Sequence, residues 1–143
     1  MTKTRDIDKL QRHLPKFMEL LGGELVALDH DSMSSEFSFA ISTDYCHSGD
    51  VVQGGFITAM LDAAMSHAVF ACDDSVINIS SLEISTRYLA VARAGSFRVT
   101  GRVVRLAYKT AFLDSELRST DGTLLATAQS VAKVVRRKEK SEP

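Results

Sequence analysis

A carboxylate lies in the middle of the most apolar helix that the sequence predicts. The segment from Gly54 to Ala71 has apolar residues on all sides, and Asp62 is one of its few polar side chains. Asp is a modest helix former and is costly to bury without a partner. One explanation is catalysis, with the carboxylate as nucleophile or general base. The other is structural, namely a contact at an interface or a hydrogen bond to neighbouring backbone.

A pair of glycines begins this helix, eight residues before the carboxylate. Gly54 and Gly55 allow backbone N–H groups to approach a ligand closely at the positive end of the helix dipole. Such donors can bind the oxyanion that forms when an acyl thioester is attacked, and with Asp62 they supply both parts of an acyl-transfer site. The alternative is that the glycines merely permit a tight turn from loop to helix.

The remaining polar residues of the helix are Thr58, Ser66 and His67. Thr58 and Ser66 lie four residues on either side of Asp62, so these three side chains share one face. His67 is interpreted as a packed or interface residue. No histidine or cysteine has the spacing of a metal ligand, so we expect no metal, and both cysteines are interpreted as thiols.

Length, composition and charge narrow the classes of function. The chain has 143 residues with 45% apolar and 24% charged residues, which is typical of one globular domain. Its 17 basic and 18 acidic residues give a net charge of −1, so there is no overall attraction to nucleic acid or to an anionic membrane. No run approaches the roughly 18 apolar residues of a membrane span, and the cytoplasm is the expected compartment.

Before the central helix, apolar spacing predicts an amphipathic helix from Ile7 to Leu21, which Pro15 kinks or divides. Strands are predicted from Glu24 to Leu28 and from Ser35 to Ile41, followed by a polar loop from 42 to 53.

After the central helix, alternating or β-branched residues predict four long strands separated by short turns. The strands are Val76 to Leu89, Ser96 to Leu106, Thr110 to Ser119 and Leu124 to Val135. Their order favours an antiparallel meander. The sequence therefore predicts an α+β domain in which a curved sheet of about six antiparallel strands wraps the long helix, with an extra N-terminal helix.

The stretch from His47 to Ala64 (HSGDVVQGGFITAMLDAA) resembles the signature of hot-dog-fold thioesterases of the PaaI, or phenylacetic-acid-degradation, type. That signature has a Gly-Gly pair at a helix start and Asp or Glu eight residues after the first Gly. Later segments are also similar to the family's strands: Ser81 to Leu89, Gly101 to Arg105 and Asp121 to Ala128. The resemblance covers about residues 24–135, which implies an N-terminal extension at 1–22, a hot-dog domain at 23–135 and a charged tail at 136–143.

The resemblance implies an acyl-CoA thioesterase that acts as a homodimer with interfacial active sites, often assembled into a homotetramer. Coenzyme A would enter as part of the substrate and no separate cofactor is implied. Asp62 would attack the thioester or activate water, Gly54 and possibly Gly55 would bind the oxyanion, and Ser66 with Ser80 or Ser81 would orient water. An apolar pocket for the acyl group is expected from Phe56, Met60 and Met65, and contacts to the coenzyme A phosphates from Arg87, Arg102, Arg105 and Lys109.

Two positions depart from the family pattern. Gln53 stands where His usually precedes the Gly-Gly pair, and His47 stands where Asn is often found. Both side chains can still donate a hydrogen bond and support the site, although Gln53 cannot act as a base. Two other functions therefore stay open: hydration or dehydration of an acyl thioester, for which His67 is the available histidine, and acyl-CoA binding without turnover.

Overall fold

The computed structural model describes residues 7–138 and contains three helices and eight strands. In chain order these are α1 (Ile7–Arg12), α2 (Lys16–Leu20), β1 (Glu24–Asp29), β2 (Ser34–Ile41), β3 (Cys46–Ser48), β4 (Val51–Val52), α3 (Gly54–Cys72), β5 (Val76–Tyr88), β6 (Gly95–Leu106), β7 (Thr110–Ser119) and β8 (Leu124–Arg136). A short 3₁₀ turn, Thr43–Tyr45, precedes β3.

Six strands form one antiparallel sheet in the order β1-β2-β6-β7-β8-β5, and α3 packs on one face of it. Burial alternates along the central strands, so that one face of the sheet meets the helix. The other face carries exposed ion pairs between strands, including Arg98 with Glu36 and Arg102 with Asp114. A long helix held by a curved antiparallel sheet is the hot-dog fold, as predicted.

The predicted meander is wrong in one respect, which is the position of β5. β6, β7 and β8 follow one another through tight turns, but β5 pairs with β8 at the far edge and not with β6. The segment after β5 cannot turn back because its backbone is bound elsewhere. Ala92 O and Ala94 N pair with Val52 N and Asp50 O, at 2.9 and 2.7 Å. The chain therefore crosses beside the start of α3 before β6 begins.

Helix α3 and the sheet approach each other very closely at Gly101 on β6. A Cβ atom there would overlap the carbonyl group of Ala64 in α3, so only glycine fits. Beside it, the buried Ser35 hydroxyl donates a 2.8 Å hydrogen bond to the same carbonyl oxygen. These two contacts fix both the height of α3 above the sheet and its rotation.

The apolar character of α3 follows from this burial. Its length and mean hydropathy of 1.4 would suit a membrane span, but 56% of that window is buried inside the domain, where the helix forms the core. Fully buried side chains from the helix and the sheet pack together there, among them Leu61, Val69, Phe37, Val99 and Leu117.

The N-terminal extension consists of two short helices, because Pro15 divides the predicted one between α1 and α2. Met18 and Leu21 are buried beneath it. Gln11 accepts a 2.7 Å hydrogen bond from Leu25 N, which ties the extension to β1. Residues 1–6 of the predicted extension and 139–143 of the predicted tail lie outside the described residues, and Arg136 ends β8.

Candidate active site

Asp62 is half-buried on α3 and faces β5, where Ser81 Oγ donates a 2.8 Å hydrogen bond to its Oδ1. Successive strand residues point to opposite faces of a sheet, so Ser80 is directed away from the helix. A β-bulge between Ser81 and Glu83 then shifts this alternation, which brings Thr86 and Tyr88 to the helix face further along the strand. The structure thus selects Ser81 from the two predicted serines.

The carboxylate opens into a cleft of about 400 Å³ between α3, the start of β5 and the N-terminal extension, which we call the Asp62 cleft. Ser66, one turn after Asp62, lines it as predicted from their shared face. The cleft is lined by Leu10, His13, Pro15, Phe17, Asp62, Ala63, Ser66, His67, Phe70, Ile77, Asn78 and Ile79. Its walls are mainly apolar, with polar groups at a few positions.

The start of α3 forms the floor of a second cavity, of about 650 Å³, which we call the helix-start cleft. It brings together four predicted site residues: His47, Gln53, Gly54 and Gly55. The exposed His47 ring lies 2.8 Å from Ser48 Oγ. The rest of the lining is largely apolar and comes from β4 and from the segment that follows β5.

The two glycines differ in the availability of their N–H groups. Gln53 is the N-cap of α3, and its Oε1 accepts a 2.6 Å hydrogen bond from Gly55 N. The Gly54 N–H donates to no acceptor within residues 7–138 and lies at the positive end of the helix dipole. The Gly54 N–H is therefore free to donate, while the Gly55 N–H is occupied by the Gln53 cap.

Sequence reasoning missed Tyr88 as part of the site. Its hydroxyl donates to Gly54 O at 2.9 Å and lies 2.9 Å from Thr58 Oγ1, which in turn lies 2.9 Å from Thr86 Oγ1. A Cβ on Gly54 would approach the Tyr88 ring to 3.1–3.3 Å. This network anchors the first turn of α3 to the end of β5. No local signal could have revealed a contact that spans 34 residues.

The three residues predicted to line the acyl pocket lie outside both clefts of the protomer. Met60 and Met65 are fully buried in the protomer core, because α3 turns their side of the helix inward. Phe56 is 37% exposed and packs edge-on against Tyr45, with ring centroids 4.9 Å apart. None of the three lines the Asp62 cleft or the helix-start cleft.

Within one protomer, the residues predicted to bind the coenzyme A phosphates lie apart from one another and do not form a single cluster. Arg87 is exposed on β5, Arg105 is exposed on β6 and Arg102 is paired with Asp114. Lys109 lies in the β6–β7 turn, where Arg136 bonds both Tyr108 O and Asp73, the C-cap of α3. Lys109 is thus near the opposite end of α3 from Gly54.

Among residues 7–138, no group of three or more His, Cys, Asp or Glu side chains could hold a metal ion. Cys46 and Cys72 are free thiols, and burial raises the pKa of Cys72 to about 11.

The sequence model of the thioesterase superfamily matches residues 49–126 of this chain. The matched range includes the α3 residues that line the two clefts. The chain belongs to this superfamily. The thioesterase is accordingly a thioester hydrolase, and the resemblance to the PaaI type is confirmed by its similarity to a phenylacetic acid degradation-related protein. A search of curated proteins gives no match to the sequence.

Solved structures similar to this thioesterase include a phenylacetic acid degradation-related protein from Ralstonia eutropha. It is 28% identical with a TM-score of 0.82, over 91% of this chain and 100% of that one. A thioesterase from Haemophilus influenzae, 18% identical, has a TM-score of 0.85 over 99% and 98% of the two chains. The PaaI protein of the Escherichia coli phenylacetic acid degradation operon, 13% identical, has a TM-score of 0.79 over 90% and 91%. The last two likenesses establish the shared fold.

Proposed function

We propose that this thioesterase hydrolyses acyl-CoA thioesters to a carboxylic acid and free coenzyme A, with Asp62 as the working carboxylate. The observation that carries the proposal is the carboxylate that Ser81 orients at the edge of a largely apolar cleft. The free Gly54 N–H supplies a donor for the oxyanion of a thioester under attack. Coenzyme A is part of the substrate, and the proposed reaction uses no other cofactor.

Two routes are compatible with this arrangement. In one, an Asp62 oxygen attacks the carbonyl carbon, the C–S bond breaks and the thiolate leaves. Water then hydrolyses the mixed anhydride, restores the carboxylate and supplies the proton for the thiolate. In the other, Asp62 takes a proton from water as its oxygen attacks, and this proton passes to the departing thiolate when the C–S bond breaks. Ser66 lines the same cleft as Asp62 and would hold the water in either route.

The two halves of the proposed site belong to different copies of the chain. Eight residues separate Gly54 from Asp62 on one straight helix, which is about 12 Å along its axis. An oxyanion donor must lie about 3 Å from the thioester oxygen, and the carboxylate must lie within a similar distance of the adjacent carbon or of its attacking water. One helix cannot satisfy both requirements at a single thioester. A second copy can supply the missing half.

The edge of β5 suits this dimer. The strand is 13 residues long, and its outer edge pairs with no strand among residues 7–138. It also exposes Ile77, Leu82 and Tyr88, and a long apolar edge of this kind is normally covered. Antiparallel pairing of two β5 strands centred near Ile84 would bring the Tyr88 end, beside Gly54, close to the Ser81 region of the second copy, beside its Asp62.

Substitution of the carboxylate tests the proposal directly. Asp62→Asn keeps the side-chain shape but removes the base, so release of free thiol from a panel of acyl-CoAs should fall about a thousandfold or more. Binding of an unreactive thioether analogue should persist. The matched control is Asp31→Asn in the exposed β1–β2 turn, which should leave the rate unchanged. Unaltered hydrolysis in Asp62→Asn would refute the role of this residue, and no thiol release by the wild type would refute the proposed substrate class.

Mixing two inactive variants tests whether the site is shared. When Gly54→Pro and Asp62→Asn chains are co-expressed in equal amounts, half of the dimers should be mixed, and one site in each should be intact. Activity should return to about a quarter of the wild-type value. Chains of one variant carried through the same procedure should stay inactive. If the mixture also stays inactive while mixed dimers are recovered, both groups act within one chain.

Recognition of the nucleotide part of coenzyme A can be measured separately. Arg87, Arg105 and Lys109 are exposed basic residues free to contact phosphates after dimerisation. If they do so, kcat/KM for acyl-CoA should exceed that for the same acyl-pantetheine, and Lys109→Ala should reduce the difference. Equal values for both substrates would remove these residues from the site.

A further inference from the structure

Three hydroxyl groups between β5 and α3 form a hydrogen-bonded chain with one direction. The Tyr88 hydroxyl has a single proton and donates it to Gly54 O, at 2.9 Å. At the 2.9 Å contact between Tyr88 and Thr58, Thr58 is therefore the donor. The Thr58 proton is then committed, so Thr86 donates across its own 2.9 Å contact with Thr58. All three protons thus point along the chain towards the first residue of α3.

This hydroxyl chain ends on the peptide group between Gly54 and Gly55, which is held at both of its polar ends. Tyr88 donates to the carbonyl oxygen, and the N–H of the same peptide group donates to Gln53 Oε1 at 2.6 Å. A peptide group is planar, so two hydrogen bonds at its opposite ends fix the orientation of its plane. Without them the segment would be loose, because glycine has wide rotational freedom and the ends of helices fray.

The peptide group that carries the free Gly54 N–H is the one just before. Its carbonyl oxygen, Gln53 O, accepts a 3.0 Å hydrogen bond from Phe56 N in the first turn of α3. The Gly54 N–H itself has no acceptor among residues 7–138 that could hold its direction. That direction therefore depends on the first turn staying formed, which the hydroxyl chain secures. An oxyanion donor contributes most when it is already oriented before the reaction begins.

The hydroxyl chain starts from a rigid element, because Thr86 and Tyr88 both lie in register with residues of β8 in the main sheet. The same strand carries Ser81, which donates to Asp62. One strand thus contacts both of the groups that we propose to act on the thioester, the carboxylate near its middle and the Gly54 peptide at its end.

We propose that Tyr88 is a positioning residue that acts on the reaction through Gly54 and is itself oriented by Thr58 and Thr86. The inference rests on the proposed role of the Gly54 N–H in binding the oxyanion, and it extends the site to three hydroxyl groups that act indirectly. Hydrogen bonds in a chain polarise one another, so loss of any member weakens the last one. Because the oriented donor is needed in the transition state, its disturbance lowers kcat and leaves KM nearly unchanged.

The experiment removes one hydroxyl at a time. Tyr88→Phe keeps the ring and loses only the hydroxyl, so kcat for acyl-CoA hydrolysis should fall about tenfold while KM stays within about twofold. Thr58→Val keeps the branched shape and should lower kcat about threefold, whereas Thr58→Ser keeps the donor and should stay near the wild type. Adding Thr58→Val to Tyr88→Phe should change kcat by less than about a further twofold, because Thr58 acts through the hydroxyl already removed. Tyr108→Phe, at an exposed tyrosine of the β6–β7 turn, is the matched control.

Hydrogen exchange of the Gly55 N–H gives a second readout that does not depend on activity. Followed by NMR, its exchange with solvent should quicken about tenfold in Tyr88→Phe, because the Gln53 cap opens more often once the peptide carbonyl is released. Exchange in Tyr108→Phe should match the wild type. Melting temperatures and sedimentation verify that each variant folds and associates as the wild type does.

The outcomes separate this inference from the proposed function. Unchanged kcat in Tyr88→Phe would overturn the positioning role even if the wild type hydrolyses acyl-CoA, and a change confined to KM would overturn it by placing the hydroxyl on the substrate. Equal losses in Thr58→Ser and Thr58→Val would contradict the hydroxyl chain. If the wild type releases no thiol, the proposed function fails. Unchanged Gly55 exchange in Tyr88→Phe would then overturn the hold of the chain on the peptide, and faster exchange would leave that hold standing.

Discussion

The hydroxyl of Ser81 donates a 2.8 Å hydrogen bond to Oδ1 of Asp62, across the gap between β5 and α3. The contact restrains the rotation of the carboxylate, which lines the Asp62 cleft. It joins the central helix to the edge strand that we propose as the dimer interface. In the proposed dimer, carboxylate orientation and subunit association would be linked through the Ser81 side chain.

Removing that hydroxyl should affect turnover more than binding. In Ser81→Ala the carboxylate can rotate, so kcat for acyl-CoA hydrolysis should fall about tenfold while KM changes by less than about twofold. Steady-state kinetics measure both constants. Ser85→Ala alters a serine on the opposite face of the same strand and is the matched control. A rise in KM alone would mean that Ser81 contacts the substrate and does not orient Asp62.

The role of the Gly54 N–H can be isolated by two substitutions at that position. Gly54→Ala and Gly54→Pro both bring a Cβ against Tyr88, but only proline removes the N–H. Proline is suited to the first helical position, and Gln53 before it is already extended at ψ 135°. We expect kcat of Gly54→Pro to be at least about a hundredfold below that of Gly54→Ala. Equal kcat values would show that this N–H does not stabilise the oxyanion.

Gly101 is expected to be the least tolerant glycine of the sheet. Because its added Cβ would overlap backbone atoms of Ala64, Gly101→Ala must push α3 off the sheet, at a cost of about 3 kcal/mol in the free energy of unfolding. Chemical denaturation measures the change. Ser96→Ala on the exposed face of the same strand should change stability by less than about 0.5 kcal/mol. A similar small change in Gly101→Ala would contradict the close helix–sheet contact.

Stability should decline as pH falls from about 7 towards 5, and His67 should account for part of the decline. Its pKa is lowered in the folded protein, so the unfolded chain binds the proton first as pH falls through the ordinary histidine pKa of about 6.5. The contribution of His67 to the free energy of unfolding is fully present above about pH 6.5, the ordinary value. It is lost as pH falls towards the pKa of His67 in the folded protein, and the free energy then changes by at most about 1.4 kcal/mol per pH unit. Denaturation of wild type and His67→Gln across this range measures it. Parallel curves would show that His67 is not neutral in the folded protein.

Local patterns predicted most of the elements and the centre of the site. The α3 segment, its glycine start and Asp62 all follow from helical spacing, which fixes the separation of residues close in sequence. The strands after α3 were predicted to within about one residue at most ends, because their alternation is long and regular.

The tertiary structure decided what lies far apart in the sequence. The place of β5 beside β8, the choice of Ser81 over Ser80 and the contact of Tyr88 with Gly54 all depend on strand pairing, which local periodicity does not specify. The apolar character of Met60 and Met65 predicts them at the acyl pocket, but the cleft beside Asp62 is lined by other apolar residues. Only the packing of α3 on the sheet determines which of its apolar sides is core and which is open to the cleft.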